Sequence, residues 1–188
     1  MSRDRKAGEM VQRTISSGER RELGRTAGDE NNVTVRLARL PDDEPAILSF
    51  IWGLQKFEKE FEANRRLDSD FATEHWADVR GQAASRGAMF VAEMDGRAVG
   101  WAFVVEEAGD LFVEKKERRY GFIAELFVEA SVRGQGHGRA LIAACEDWSR
   151  LRGMTVLIIG ALTGNGKAAA LYQRDGFAPY NLFMRKYL

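Results

Sequence analysis

Apolar and polar residues first alternate at Val33, Val35 and Leu37, and that period predicts a strand. Before it, Met1–Asn32 is rich in Arg, Glu, Gly and Ser, with apolar residues at no fixed period. Such a segment buries little surface and is expected to be a flexible arm beside a domain of residues 33–188. Pro41, Asp42, Asp43 and Pro45 supply turn and helix-start chemistry. Phe50, Leu54, Phe57 and Phe61 then recur at spacings of four, three and four, one stripe of an amphipathic helix. Burial is the first reading of such a stripe, and an acceptor-pocket wall the second. A second helix is predicted over Ser69–Ala84, with Phe71, His75, Trp76 and Val79 on its buried side and no separate role for His75. Ala88–Met94 and Ala98–Glu106 read as strands joined at Asp95-Gly96, where a type I′ turn needs positive φ twice.

Ala108–Arg119 is polar and reads as the longest loop, and Tyr120–Val128 as the next strand. Ala140, Leu141, Ala144, Cys145, Trp148 and Leu151 then fall at helical spacing, with Gly153 as the C′ residue. Val156–Ile159 reads as a buried strand, Asn165–Asp175 as a short helix ended by Gly176, and Phe177–Leu188 as one or two closing strands. The order implies an α/β domain with helices on a central mixed sheet.

Composition narrows the function. The chain has 188 residues, and its 28 Lys+Arg balance 28 Asp+Glu, which argues against attachment to nucleic acid or anionic membrane by bulk charge. Apolar runs such as Val156–Ile159 fall far short of the ~18 residues of a membrane span. No apolar run follows the charged N-terminus, so a cytoplasmic protein is expected. Cys145 is the single cysteine, and with only His75 and His137 beside it a His/Cys metal site lacks ligands. Cys145 falls on the apolar helix face and is expected to be core.

The chemistry concentrates where the strand Tyr120–Val128 runs into Arg133-Gly134-Gln135-Gly136-His137-Gly138 and then a helix. Glycines let backbone approach a bulky ligand, and free N–H groups at a helix N-terminus suit phosphate or pyrophosphate. Arg133 and Arg139 flank the loop and offer charge-assisted hydrogen bonds. A dinucleotide fingerprint fails in both registers, at Arg139 and at Leu141. A P-loop around Gly166-Lys167 fails at Ala161 and Ala168, and no G-x-S-x-G is present.

Arg133-x-x-Gly136-x-Gly138 after a strand resembles the R/Q-x-x-G-x-G/A loop of the GNAT superfamily of acyl-CoA-dependent N-acetyltransferases. Asn165-x-x-Ala168-x-x-Leu171-Tyr172-x-x-x-Gly176-Phe177 resembles that family's N-x-x-A-x-x-L-Y-x-x-x-G-F element, in the expected order. The match covers about Ala88–Leu188, while Val33–Ala84 fits in pattern only. The resemblance implies a mixed, mostly antiparallel sheet with a splayed parallel strand pair and helices on both faces. It also implies acetyl-CoA as acyl donor, without a metal, its pyrophosphate on the backbone of Arg133, Gly134, Gln135, Gly136, His137, Gly138 and Arg139. The pantetheine arm would run along Leu126, Phe127 and Val128, with Asn165 and Ala168 nearby.

An alkylammonium, with a pKa of about 10, must lose a proton before it attacks a thioester, and the thiolate, at about 8.5, benefits from receiving one. Glu125 is the candidate base and Tyr172 the candidate acid; solvent exposure and aromatic packing are their competing readings. The expected reaction is acetyl transfer to a primary amine by direct attack in a ternary complex. The rival is a noncatalytic acyl-CoA-binding regulatory domain. A small-molecule or peptide amine is the expected partner; which one, and whether the chain forms a homodimer, stay open.

Overall fold

The antiparallel core of the protein grows from one hairpin. In the computed structural model, which describes residues 33–188, Asp95 and Gly96 have φ of 52° and 76° and join β2 (Gly87–Met94) to β3 (Arg97–Ala108). The expected arm of Met1–Asn32 lies outside the described residues. β1 (Thr34–Leu37) pairs antiparallel with β2, and β4 (Arg119–Val128) antiparallel with β3. β5 (Leu157–Ile159) closes the order β1-β2-β3-β4-β5 by pairing parallel with β4.

Helices cover both faces. α1 (Glu44–Glu58) and α2 (Phe71–Arg86) pack Ile47, Phe50, Ile51, Trp76 and Val79 against Val91, Trp101 and Phe103. On the opposite face, α3 (His137–Leu151) packs Leu141, Ile142 and Cys145 against Ala102, Val104 and Ile123. Each fully buried large side chain contributes about 1.5–3 kcal/mol of transfer free energy. α4 (Gly166–Arg174) follows β5. The entry to α1 is held by Arg36, which donates to both carboxylate oxygens of Asp43 (2.6 and 2.8 Å) and to Glu93 Oε1. That guanidinium holds the Asp43 carboxyl below the usual carboxylate range.

Two features of β4 shape the surface beside it. Pairing with β5 covers only Gly121 to Ile123, so the strands part and Ala124–Val128 runs on without a strand partner on that side among the described residues. On the β3 side, Val104 pairs with Ile123 but Phe103 with Glu125, so Ala124 is the extra residue of a β-bulge. Phe122 and Phe127 pack on the α1/α2 face, while Ile123, Leu126 and Val128 pack on the α3 face. The bulge thereby places Glu125, opposite Phe103, on the α1/α2 side. Strict alternation from Ile123 would have sent it to the α3 side.

The closing strands expected in Phe177–Leu188 are absent: the segment carries no regular structure, and Leu182, Phe183 and Met184 are exposed. Pro179 cannot donate to a ladder, and β5 offers an edge of three residues (Leu157–Ile159). The other predicted elements form with ends shifted by a few residues, as helix and strand ends commonly are.

Candidate active site

The Gly-rich loop is built to present backbone. Ala130–Val132 makes one 3-10 turn after β4, Gly134 and Gly136 take φ of 82° and 92°, and α3 begins at His137. The left-handed φ of Gly136 strains any L side chain, and the space where its Cβ would stand is open. The N–H groups of His137, Gly138 and Arg139 lie in the first turn of α3 and find no backbone acceptor among the described residues. Free donors, a helix N-terminus and an open approach fit an anionic phosphate group. Leu126–Val128, unpaired toward β5 among the described residues, lies beside this cradle and is open to an added strand except at the Val128 carbonyl, which Arg133 engages.

The side chains of the loop behave differently from its backbone. The Arg133 Nε donates to the Val128 carbonyl (2.9 Å), and its guanidinium stacks 4.9 Å from the Phe57 ring and 5.6 Å from the Phe127 ring. Arg139 pairs with Asp175 at 3.0 Å, tying α3 to the end of α4. The His137 ring is buried, with neither nitrogen partnered among the described residues, so its backbone is what faces the loop. Asn165 Oδ1 accepts the Ala168 N–H (3.1 Å) and caps α4. Tyr172 packs edge-on to Phe177, and burial, followed by the nearby Glu58 charge, pushes its phenol up to about 12.

A cavity of about 320 Å³ opens between α1, α2 and β4. Its apolar wall includes Ile51, Leu54 and Phe71, and its charged groups are Glu58, Arg65, His75 and Glu125. Glu125, 12% exposed, meets His75 with Nε2 and Oε1 2.5 Å apart. Glu58 pairs with Arg65 at 2.9 Å. Burial pushes the Glu58 carboxyl up, and the like charge of Glu125 adds to that against the opposing Arg65. Glu58 lines the same cavity as the candidate base Glu125, and its charge also reaches the candidate acid Tyr172. A second hollow, of about 280 Å³, lies between the end of α3, β5 and Phe177, away from these groups. Among the described residues no cluster of three or more His, Cys, Asp or Glu is placed to hold a metal ion.

Residues 51–177 match the acetyltransferase (GNAT) family. The chain belongs to that family. This acetyltransferase is 28% identical to the "IAA acetyltransferase" of Azospirillum brasilense over 123 residues, 60% of this chain and 75% of that protein. A Bacillus halodurans protein, solved in a mutant form, superposes with a TM-score of 0.70 at 18% identity, covering 82% of this chain and 99% of its own. AAC(6')-Iy, solved with the bisubstrate analogue CoA-S-monomethyl-acetylneamine, superposes with a TM-score of 0.60 at 21% identity, covering 84% and 99%.

Three groups of the candidate site are not marked by any motif in the sequence: His75, Glu58 and Arg65. Glu58 directly follows Phe57 of the apolar stripe, and Leu54 of that stripe lines the cavity, so the second reading of the stripe was the signal available. His75 lies four residues after Phe71 and stacks on its ring (5.4 Å, 11°), yet nothing in the pattern ties it to a strand residue 50 positions away.

Proposed function

We propose that the protein transfers acetyl from acetyl-CoA to a primary amine by direct attack in a ternary complex. One observation carries the reading: a sequestered carboxylate, Glu125, stands in a cavity next to the unpaired strand Leu126–Val128 and the cradle at Gly136. Bound acetyl-CoA supplies the activated thioester and the thiolate leaving group. The chain's own groups then divide the work. The free N–H groups at the start of α3 take the pyrophosphate. Leu126–Val128 aligns the pantetheine, and the N–H of Val128 is placed to polarise the thioester carbonyl. Glu125 accepts the proton of the incoming ammonium.

Tyr172 faces the leaving group as a hydrogen-bond donor. A phenol pushed up to about 12 is a weaker acid than a thiol at about 8.5. Full transfer of its proton is uphill, and its contribution is a hydrogen bond to the developing thiolate. The apolar wall of Ile51, Leu54 and Phe71, together with Glu58 and Glu125, favours an amine on a partly apolar body. Thiol release from acetyl-CoA across an amine panel, with mass spectrometry of the N-acetyl product, tests the reading. CoA binding without turnover on any amine would make the protein a noncatalytic acyl-CoA binder; absence of CoA binding would remove the cradle.

A further inference from the structure

We propose that His75 is the positioning residue of this site: it grips one oxygen of Glu125, and the charge on its ring decides whether Glu125 works as a base. The inference rests on the acetyl-transfer reading for its chemistry and on the structure alone for the contact.

Two placements bring the pair together. The bulge at Ala124 turns Glu125 toward α1 and α2, and Phe71 clamps the His75 ring from the preceding turn of α2. The result is Nε2 facing Oε1 at 2.5 Å. Among the described residues no other cation pairs with Glu125, and Arg65 is engaged by Glu58 at 2.9 Å. Glu125 Oε2 makes no hydrogen bond among the described residues, while its residue lines the cavity. The imidazole is faced by Glu125 from β4 and by Asp78 from its own helix, with Glu58 and Arg65 across the same cavity. Glu125 holds the ring's pKa above its ordinary value despite burial.

With the ring neutral, Nε2 carries a hydrogen that it donates to Oε1, and Oε2 is free. The acceptor's ammonium loses one N–H proton to Oε2, and its nitrogen lone pair forms the C–N bond at the thioester carbonyl. The C–S bond breaks with its electron pair on sulfur, the second N–H proton of the new amide nitrogen passes through solvent to that thiolate to give the CoA thiol, and Glu125 later returns its own proton to solvent. With the ring protonated, the carboxylate is already ion-paired and its proton affinity falls. The first proton taken up by the pair therefore belongs to both residues, and its pKa is set by the ring's environment.

His75→Gln separates positioning from charge, because the amide still donates to Oε1 and does not titrate. In the wild type the acidic limb of kcat/KM should lie above the ordinary imidazole value of about 6.5; in His75→Gln it should move to lower pH. His75→Ala should lower kcat by roughly 10²-fold on the plateau above the wild-type acidic limb, with the KM for acetyl-CoA little changed. A ring that only supports the fold would lower activity without moving the limb. NMR titration of the His75 ring in the free full-length protein gives a readout independent of turnover, with Glu125→Gln expected to lower its midpoint. An unmoved limb in a folded His75→Gln, or a His75 midpoint indifferent to Glu125→Gln, would overturn the proposal. Coupled titration without acetyl transfer to any amine would overturn the base role together with the functional reading.

Discussion

Two glycines in the middle of helices should respond to alanine with opposite signs. Gly81 sits in α2 with open space where a Cβ would go, and Gly53 sits in α1 with Phe127 Cζ only 2.7 Å from that position. Alanine in place of a mid-helix glycine gains about 1 kcal/mol of helix propensity. Gly81→Ala should collect that gain in full and raise Tm by about 2–4 °C. Gly53→Ala meets a ring that cannot swing aside easily, since Phe127 is packed against Phe50 (5.9 Å) and beneath the Arg133 guanidinium (5.6 Å). Overpacking of this kind costs about 1–3 kcal/mol, so the clash exceeds the propensity gain and the net effect is a loss of about 1 kcal/mol. Thermal unfolding followed by circular dichroism measures both variants. In a Phe127→Leu background, where the shorter side chain vacates the contact, Gly53→Ala should turn stabilising, with a coupling of about 2 kcal/mol in the cycle. A rise in Tm for Gly53→Ala alone would show that Phe127 is free to move. Its ring would then no longer fix the end of β4 beside the cradle.

Gly136→Val should abolish CoA binding by calorimetry while the fold persists, because a β-branched residue resists the positive φ and fills the approach to the loop. Near-normal affinity in a folded variant would remove the loop as the anion site. Tyr172→Phe should lower the single-turnover rate about 10–10²-fold, the worth of one hydrogen bond to a charged group, with acetyl-CoA affinity little changed. An unchanged rate would leave Tyr172 as packing against Phe177. Asp43 has its pKa depressed by Arg36, so the stability it contributes is present above its unfolded value of about 3.9 and is lost as pH falls through the lower folded value. Tm should therefore fall more steeply below about pH 4 in the wild type than in Arg36→Met, and equal slopes would refute the linkage.

The donor side of this site was legible because it is made of backbone. A ligand held by main-chain N–H groups requires glycine at particular steps, and Gly134 and Gly136 stand in the sequence where positive φ is found. Asp95-Gly96 was legible for the same reason. The acceptor side is made of side chains from three elements, and their meeting depends on packing. Alternation along β4 left solvent exposure as the competing reading of Glu125, and no local pattern marks Ala124 as the bulge residue that turns it toward α1 and α2. His75 read as a position on the buried side of its helix; its ring is half-buried against Phe71, and the pattern did not show its partner. The tail after Phe177 misled for a different reason: apolar, β-prone residues are necessary for a strand, but a strand also needs an edge long enough to pair with.

On the proposed reading, the charges around the cavity between α1, α2 and β4 bind and activate the acceptor together. Glu58 and Arg65 cancel as one pair, so the net charge of the four groups is set by Glu125 and His75. With the ring protonated the cavity is neutral and Glu125 is ion-paired. With the ring neutral the cavity carries one negative charge, in a partly buried setting where a single charge acts more strongly than in water. On the proposed reading, the same loss of a proton that frees Glu125 to act as a base therefore also draws in an ammonium. A primary amine is itself protonated over that pH range, so it arrives as the cation that the cavity attracts and holds the proton that Glu125 is ready to take. The burial of Glu58 fits this order of events. Its raised carboxyl pKa needs Arg65 to keep it charged, and that leaves Glu125 as the carboxylate whose charge the acceptor meets unpaired.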